Sequence, residues 1–416
     1  MRAATTPNSA AGRGATEPLA RQLHGADYSM ETYLVGGAVR DQLLGLPVRE
    51  RDWVVVGATP EAMLALGYTP VGRDFPVFLH PETRDEYALA RTERKTGHGY
   101  TGFATSSDPG ITLEQDLLRR DLTINAMAET AAGELIDPYG GRQDLENGVL
   151  RHVSAAFAED PVRILRIARF AARFARLGFH VAHDTNKLMR TMVAQGELDY
   201  LVPERVWAEL VKALAEDTPA RFFEVLQGCG ALDKLFPEMA PLAGATTDIH
   251  ARTSIMLPVL GAAVPLSDNT GIRFAAWVCD LDNGTPGGLP HAALDALCMR
   301  YRAPNACREL AVLAVRHRET VQKAGTLSAA GLLELLTSLD AFRRGERLEQ
   351  FLLVCEAAAR AGDPDLQHYA PAELLQQARA AARAVRADTG SGKTGKEIGA
   401  LLHQQRIAAI QLLLTH

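Results

Sequence analysis

Residues 33–41 (YLVGGAVRD) join a short aromatic and β-branched run to a helical segment through two adjacent glycines. This order of strand, glycine turn and helix predicts an α/β unit, and paired glycines let a backbone approach a phosphate closely. The first N–H groups of the following helix would be free donors to that phosphate. Gly37 and Arg40 are therefore candidate nucleotide-binding residues, with Arg40 as a bidentate clamp on a triphosphate. Taken alone, the two glycines could also form an ordinary turn.

Residues 50–56 (ERDWVVV) follow about nine residues later and place two carboxylates ahead of a β-branched run. Side chains two apart on a strand point to the same face, so Glu50 and Asp52 are predicted to converge on one site. Two convergent carboxylates suit phosphoryl transfer, in which Mg²⁺ lowers the pKa of the attacking hydroxyl and neutralises phosphate charge. Surface charge is the alternative interpretation of this motif alone.

The pattern of apolar residues divides the chain into an α/β head and a helical remainder. Helices are predicted at 39–44, 60–66 and 113–128, and strand patterns almost vanish after Pro161. The predicted fold class is an α/β head (mixed sheet with helices) followed by an all-α neck, body and tail. Strands are predicted at 33–35, 53–56, 77–79, 87–90 and 135–136. The predicted segments are 1–29 (disordered, or preceding a true start at Met30), 30–158 (head), 159–240 (neck) and 241–416 (body and tail).

Composition restricts the class of protein. With 416 residues, 47% of them hydrophobic, the chain is too long for one core and is typical of a globular protein. No run of about 18 apolar residues occurs, so no membrane span is expected. Five cysteines without C-x-x-C spacing predict a reducing compartment, the cytoplasm, and neither disulfides nor a zinc cage.

A net charge of −6 argues against binding nucleic acid through bulk charge, but a local patch is sufficient. Residues 151–190 contain eight Lys or Arg against three acidic residues. This stretch predicts a basic face for RNA, or alternatively a solvated helix face. Its basic residues are Arg151, Arg163, Arg166, Arg169, Arg173, Arg176, Lys187 and Arg190.

Several segments in one order resemble the catalytic half of bacterial CCA-adding enzymes (class II tRNA nucleotidyltransferases), a class shared with bacterial poly(A) polymerases. The resemblance implies a nucleotidyltransferase head that adds C and A to tRNA 3′ ends from CTP and ATP, with Mg²⁺ held by Glu50 and Asp52. The family has Asp at both metal positions, so Glu50 departs from it and moves the carboxylate by roughly 1.5 Å. The matching segments are 36–41, 50–53, 73–80, 91–95, 119–126, 137–139 and 159–166.

The resemblance also implies how a base is chosen without a template. Asp160 accepts hydrogen bonds and Arg163 donates them, which matches the Watson–Crick edges of cytosine and adenine. Their spacing of three places both on one helix face, although an ordinary ion pair has the same spacing. By the same carry-over, the other nucleotide contacts are Gly37, Arg40, Arg120, Arg166 and Arg169, while Asp121 and Asn125 position the ribose or organise the site.

Residues 201–207 and 229–238 extend the resemblance, more weakly, into a neck and body that carry tRNA. Many relatives have a phosphohydrolase module there, with a His-Asp metal pair. Cys279 stands in place of that His, so we predict no HD-type transition metal, although His250 could correspond to the module's first His. His183-Asp184 is interpreted as a surface pair, and residues 390–394 (GSGKT) as a loop because Ala387 breaks the P-loop pattern.

Three alternatives remain open from the sequence. The first is a bacterial poly(A) polymerase, and the second is an enzyme that adds only A or only CC. The third belongs to another class: a tRNA-binding protein without catalytic activity, in which Glu50 marks a decayed site.

Overall fold

A computed structural model describes residues 30–71, 77–95, 103–239, 257–281, 291–386 and 394–415. The chain forms two compact units, which divide between Arg142 and Gln143. The predicted boundaries at 158 and 240 stay predictions. Four sequence features lie outside the described residues: the 1–29 extension, residues 73–76, His250 and residues 390–393.

The first unit contains a mixed sheet of seven strands among the described residues, in the order β3-β4-β5-β2-β1-β8-β9. At its centre β1 pairs antiparallel with β2 and β8, while β2 pairs in parallel with β5. Two further strands form a separate antiparallel pair. The strands are β1 Glu31–Val35, β2 Asp52–Val56, β3 Thr69–Val71, β4 Val77–Leu79, β5 Glu86–Leu89, β6 Thr92–Lys95, β7 Phe103–Ser106, β8 Ala128–Glu129 and β9 Leu135–Ile136.

The apolar run after Asp52 explains why β2 is central. Val54 and Val55 are both buried, as expected of a strand covered on both faces. Val55 packs in one cluster with Met63 of the following helix and with Phe78 and Leu89 of the neighbouring strands. Asp52 is paired with Val35 on one side and Glu86 on the other, so the sheet fixes its backbone.

Four helices accompany this sheet in the described part of the chain: α1 Gly37–Leu43, α2 Pro60–Ala65, α3 Leu113–Leu118 and α4 Gly141–Glu146, the last spanning the division. The prediction of one helix over 113–128 is wrong. A capping box at Thr112 starts α3, which ends at Leu118 and is followed by a 3-10 turn at Thr123–Asn125 and by β8. The Asp121 carboxylate accepts from the Leu122 N–H and the Asn125 amide, both over 2.9 Å. Such side-chain bonds compete with helix continuation.

The described residues of the second unit are helical apart from a parallel pair of two-residue strands, β10 Val149–Leu150 and β11 His180–Val181. None of the described helices combines the length and apolar character that crossing a bilayer requires. The predicted fold class, an α/β head followed by a helical region, is confirmed. The helices are α5 Val162–Arg173, α6 His183–Ala194, α7 Pro203–Ala215, α8 Ala220–Gly228, α9 Ala231–Leu235, α10 Pro258–Ala263, α11 Thr270–Val278, α12 Ala292–Arg300, α13 Asn305–Gln322, α14 Ala329–Ser338, α15 Gly345–Gly362, α16 Ala370–Ala384 and α17 Gly395–Leu414.

Candidate active site

The turn between β1 and α1 requires glycine at its first position. Gly36 has φ of +68°, a conformation that L side chains rarely adopt, and its N–H donates to the Met127 carbonyl over 3.2 Å. A Cβ at Gly36 would lie 2.7 Å from Nη1 of Arg120. The turn therefore brings the end of β1 against Arg120 and the residue before β8. Of the two glycines in the predicted turn, Gly36 has the positive φ that requires glycine, and the nucleotide-binding role predicted for Gly37 stays a prediction.

Arg40 lies inside the head and organises neighbouring polar groups. Its Nε donates to Asp41 over 2.9 Å, and its Nη1 donates to Oδ1 of Asn125 over 2.5 Å. The Asn125 amide in turn donates to Asp121 over 2.9 Å. All four side chains are buried, so they form one connected network under the glycine turn. The structure brings these predicted residues together, while their contact with a nucleotide stays a prediction.

Glu50 and Asp52 lie at the start of β2 and are both exposed to solvent. The strand begins at Asp52, so Glu50 lies in the preceding loop and the pleat argument for the pair does not apply. The two carboxylates are nevertheless close enough to interact. Partial burial raises the pKa of Asp52, the Arg120 guanidinium lowers it, and the Glu50 charge raises it again. Electrostatic repulsion between two carboxylates at one place is relieved by a cation.

The donor set at this position fits Mg²⁺. Within the described residues, no group of three or more His, Cys, Asp or Glu side chains could hold a metal ion. Two carboxylates are what Mg²⁺ takes from a protein when water and substrate phosphates supply its other ligands. The pair is therefore suited to a metal that arrives with a nucleoside triphosphate, and not to a permanent all-protein cage.

Asp116 is a site residue that the sequence did not reveal. This fully buried carboxylate pairs with Arg119 over 2.7 Å and with Arg120 over 3.2 Å. Burial raises the pKa of Asp116, but the Arg120 and Arg119 guanidiniums outweigh burial and leave it below its usual value. Asp116 therefore stays ionised and holds Arg120 towards Asp52. The sequence did contain a signal for this group. Asp116 stands three positions before Arg119 and four before Arg120, the spacings at which helical side chains form ion pairs.

In the second unit, Asp160 precedes α5 and is held from two directions. Its Oδ1 accepts from the Val162 N–H over 3.1 Å, in the manner of a helix cap. Arg205 of α7 forms a bidentate pair with both carboxylate oxygens, over 3.1 and 2.7 Å. Arg163 is buried and donates to the Ala156 carbonyl over 3.0 Å. The sequence assigned no role to Arg205, because only the fold brings α7 against Asp160.

Glu209, one turn along α7, holds the other predicted arginines. It accepts from Nε of Arg169 over 2.7 Å and lies 4.0 Å from Nη1 of Arg166. Arg169 also lies over the Phe170 ring at 4.5 Å. Because Glu209 and Arg169 are buried while Arg166 is about one-third exposed, Arg166 is the member that reaches solvent. Glu209 is a second positioning residue that sequence alone could not assign.

The basic stretch 151–190 does not form the single face that the sequence predicted. Arg163 and Arg169 are buried, Arg151 pairs with Asp144, and Arg176 pairs with Asp217 over 3.1 Å. Arg173 lies over the Phe174 ring. Arg163 and Arg169, six positions apart on α5, both lie on its buried side, which the residue count could not distinguish from a solvated face.

Cys279, at the position where the sequence predicted a metal module without its metal, lies in a buried region. Cys279 is fully buried, and burial raises the pKa of its thiol to about 12, so it is a neutral thiol at physiological pH. Asp280 next to it pairs with the Arg318 guanidinium over 2.5 Å. The Arg318 guanidinium therefore neutralises Asp280, the one carboxylate of the Cys279-Asp280 dipeptide.

The head and neck match two family models. Residues 32–151 match the model described as poly A polymerase head domain, and residues 178–242 match the probable RNA- and SrmB-binding site of polymerase A. Among solved structures, a CCA-adding enzyme in apo form II has a TM-score of 0.65 at 22% identity. The match covers 93% of this chain and 92% of that enzyme. A Thermotoga maritima CCA-adding enzyme complexed with tRNA has a TM-score of 0.62 at 22% identity, and the match covers 92% of this chain and 87% of that enzyme.

Curated relatives are much closer in sequence. A multifunctional CCA protein of Thioalkalivibrio sulfidiphilus is 56% identical over 92% of this chain and 98% of its own length. One from Nitrosococcus oceani is 54% identical over the same shares. The chain therefore belongs to the family of multifunctional CCA proteins and is a CCA-adding tRNA nucleotidyltransferase.

Proposed function

We propose that this enzyme adds C, C and A to tRNA 3′ ends by transferring CMP and AMP from CTP and ATP to the terminal hydroxyl. The observation that carries the proposal is the exposed pair Glu50 and Asp52, whose charges interact at the start of β2 within reach of Arg120. Fold relatives described as complexes with tRNA, with CTP and with ATP support the same partners here.

Glu50 and Asp52 would hold two Mg²⁺ ions, which when bound lower the pKa of the attacking hydroxyl and stabilise charge on the triphosphate. The protein's own contribution is to fix the two carboxylates. Asp52 is fixed by its ladder with β1 and β5. Arg120, held by Asp116, supplies a fixed positive charge near Asp52, where a triphosphate would bring negative charge.

The head network has a second task in this proposal. Arg40, Asn125 and Asp121 connect the glycine turn to the residues beyond α3 through buried hydrogen bonds. A connected buried network rigidifies its surroundings, so the turn is preorganised to accept phosphate and ribose. Gly37 leaves the backbone open on that side, since a Cβ there would meet only the Arg40 tip at 3.5 Å.

Asp160 and Arg163 would read the base. Cytosine and adenine each present an amine donor beside a ring-nitrogen acceptor, while guanine and uracil present the reverse order. An acceptor and a donor held at fixed positions therefore select C and A without a nucleic acid template. Arg205 uses two lone pairs of the Asp160 carboxylate and the Val162 N–H uses another, which fixes the carboxylate and leaves acceptor capacity for the base amine. Arg166 and Arg169 line the same face of α5 and complete the predicted contacts.

The longer side chain of Glu50 can be accommodated because of where it lies. Residues 46–51 form no strand or helix, so the backbone before β2 is not fixed by a ladder. A shift of roughly 1.5 Å, the length of one methylene, is easier in such a loop than within the sheet. Glu50 is therefore a working metal ligand in this proposal.

The test is incorporation of labelled CTP and ATP into tRNA lacking its 3′ end, for wild type, Glu50→Asp and Asp52→Ala. We expect wild type to add C, C and A and to stop, Glu50→Asp to retain activity, and Asp52→Ala to lose it. Long A tails would indicate a poly(A) polymerase, and only A or only CC a specialist. Wild type that binds tRNA but incorporates nothing, with rescue by Glu50→Asp, would make it a silenced tRNA-binding protein.

Two further expectations belong to this proposal. The Asp280–Arg318 pair and the buried Cys279 support a body without an HD-type transition metal. Stoichiometric Ni, Co or Mn together with 2′,3′-cyclic phosphodiesterase activity would contradict it. The five free cysteines support a reducing, cytoplasmic location.

A further inference from the structure

Arg273 of α11, in the predicted body, is a buried arginine that contacts the end of the neck helix α7. Its side chain is buried, with 4% of the residue exposed. Its Nη1 donates to the Leu214 carbonyl over 2.7 Å and to the Glu216 carbonyl over 2.9 Å, both at the carboxyl end of α7. Its Nε donates to the Ser267 carbonyl over 2.7 Å, in the segment just before α11. One side chain therefore fastens the end of α7 to the body.

The charge of Arg273 suits this position. The last carbonyl groups of a helix have no partner within the helix and carry the negative end of its dipole, so a cation pairs with them and stabilises the helix. Burial lowers the pKa of Arg273, while the nearby carboxylates of Asp268 and Asp217 offset part of that effect. A guanidinium nevertheless stays protonated at physiological pH. Arg273 is therefore a charged cap on the carboxyl end of α7.

A second contact holds α7 nearer its other end. Phe274, the residue after Arg273, is buried, and its ring meets the Trp207 ring edge-on with 5.2 Å between the centroids. Trp207 lies on α7 between Arg205 and Glu209. The two contacts are separated by roughly 10 Å of helix axis, at about 1.5 Å for each residue. Together they resist both sliding of α7 along its axis and rotation about it.

The helix that α11 holds is the one that holds the predicted base-reading residues. Arg205 of α7 forms the bidentate pair with Asp160, and Glu209 of α7 accepts from Arg169. A guanidinium matches a carboxylate at two points in only one relative orientation, so a movement of α7 would carry Asp160 with it or break the pair. A misplacement of about 1 Å can cost on the order of a hundredfold in rate. The position of Asp160 therefore depends on where α7 lies.

We propose that Arg273 is a positioning residue for base selection: Arg273 fixes α7, and α7 fixes Asp160 through Arg205. This inference rests on the proposed function, because it assumes that Asp160 reads the base. It assigns to the body a part in nucleotide choice that requires no contact between the body and the nucleotide.

The test compares kcat/KM for CMP and for UMP incorporation into tRNA lacking its 3′ end, for the full chain and its variants. Arg273→Lys keeps the charge but cannot span carbonyl groups on two segments, so the ratio of CMP to UMP should fall on the order of fivefold. Arg205→Ala lowers the ratio by itself. Arg205→Ala/Arg273→Lys should lower it no further, because both changes act through the same contact with Asp160. The affinity for tRNA should stay at its wild-type value.

Arg347→Lys is the matched control for a general loss of stability. Arg347 is also half-buried or more, and it donates to the Leu339 carbonyl over 3.2 Å and to Glu309 over 3.0 Å, neither of which belongs to α7. Its ratio of CMP to UMP should equal that of wild type. Thermal unfolding followed by circular dichroism shows that each variant is folded at the assay temperature. An equal fall of the ratio in Arg347→Lys, or a further fall in the double variant, would overturn the inference.

The remaining outcomes separate this inference from the proposed function. If Arg273→Lys is folded and keeps the wild-type ratio, the inference is wrong and the function stands. If Arg273→Lys does not fold, Trp207→Leu replaces it in the same comparison, because it removes the ring contact with Phe274 and no buried charge. An unchanged ratio in Trp207→Leu then overturns the inference. A wild type that incorporates no CMP contradicts the proposed function itself, and the inference with it.

Discussion

The candidate residues of the two units differ in how their charges are balanced. In the head, Glu50 and Asp52 are exposed and repel each other. In the neck, Asp160 is paired with Arg205, and Arg169 with Glu209, so that charges are matched within the protein. Under the proposed function, the head leaves negative charge that cations would neutralise, whereas the neck would hold an acceptor and a donor in fixed positions against a base.

The largest effect should come from removing one head charge. Asp52→Asn keeps the shape of the side chain but halves the negative charge that would hold Mg²⁺. Metal stabilisation of the transition state amounts to several kcal/mol, so CMP incorporation should fall by about a thousandfold or more. Single-turnover incorporation into tRNA lacking its 3′ end measures this, with tRNA affinity as the control. If Asp52→Asn kept activity within tenfold of wild type, the assignment of Asp52 as a metal ligand would be wrong.

A neck variant should instead reduce stability. Glu209→Gln leaves the buried Arg169 without its charged partner, and breaking a buried pair by removing one member costs about 3 kcal/mol. Urea unfolding followed by circular dichroism gives the free energy of unfolding. Glu204→Gln is the matched control, since Glu204 pairs with Arg302 on the exposed side of the same helix and should change stability by less than about 1 kcal/mol. Equal losses in both variants would show that burial of the pair does not matter.

Substitution of Arg205 tests whether fixing the Asp160 carboxylate is needed to select CTP over UTP. Arg205→Ala frees the Asp160 carboxylate from its bidentate partner, and misplaced catalytic groups lose discrimination. We expect the ratio of CMP to UMP incorporation to fall on the order of tenfold. Lysine cannot reproduce a two-point contact, so Arg205→Lys should restore little. Arg221→Ala, which removes a half-exposed pair with Glu224, is the control; an unchanged ratio in Arg205→Ala would mean that Arg205 only stabilises the helix.

The sequence predicted the head better than the neck, and the reason is physical. Val77–Leu79 and Leu135–Ile136 are confirmed as strands, because a short apolar or β-branched run determines its own local structure. Local patterning did not reveal that α3 stops at Leu118 and that the Asp121 carboxylate accepts from the Leu122 N–H beyond it. Asp116, Arg205 and Glu209 act through partners whose identity depends on tertiary contact. The head motifs are therefore predictable because residues adjacent in sequence fix them. The neck motifs are not, because contacts between separate helices fix them.

The smallest expected effect concerns the stability cost of the head's exposed carboxylates. Partial burial and Glu50 raise the pKa of Asp52 above its value in the unfolded chain, so ionising Asp52 destabilises the fold. The stability that the protonated Asp52 carboxyl contributes is fully present below the pKa of Asp52 in the unfolded chain. It is lost as the pH rises through the higher pKa of Asp52 in the folded protein. In EDTA, Asp52→Asn should therefore be more stable than wild type above that pKa, by a few tenths of a kcal/mol because solvent screens the site. The advantage should vanish in strong acid. Glu134→Gln, at an exposed head position, is the control, and an Asp52→Asn variant less stable than wild type at neutral pH would show that the carboxylate is compensated within the protein.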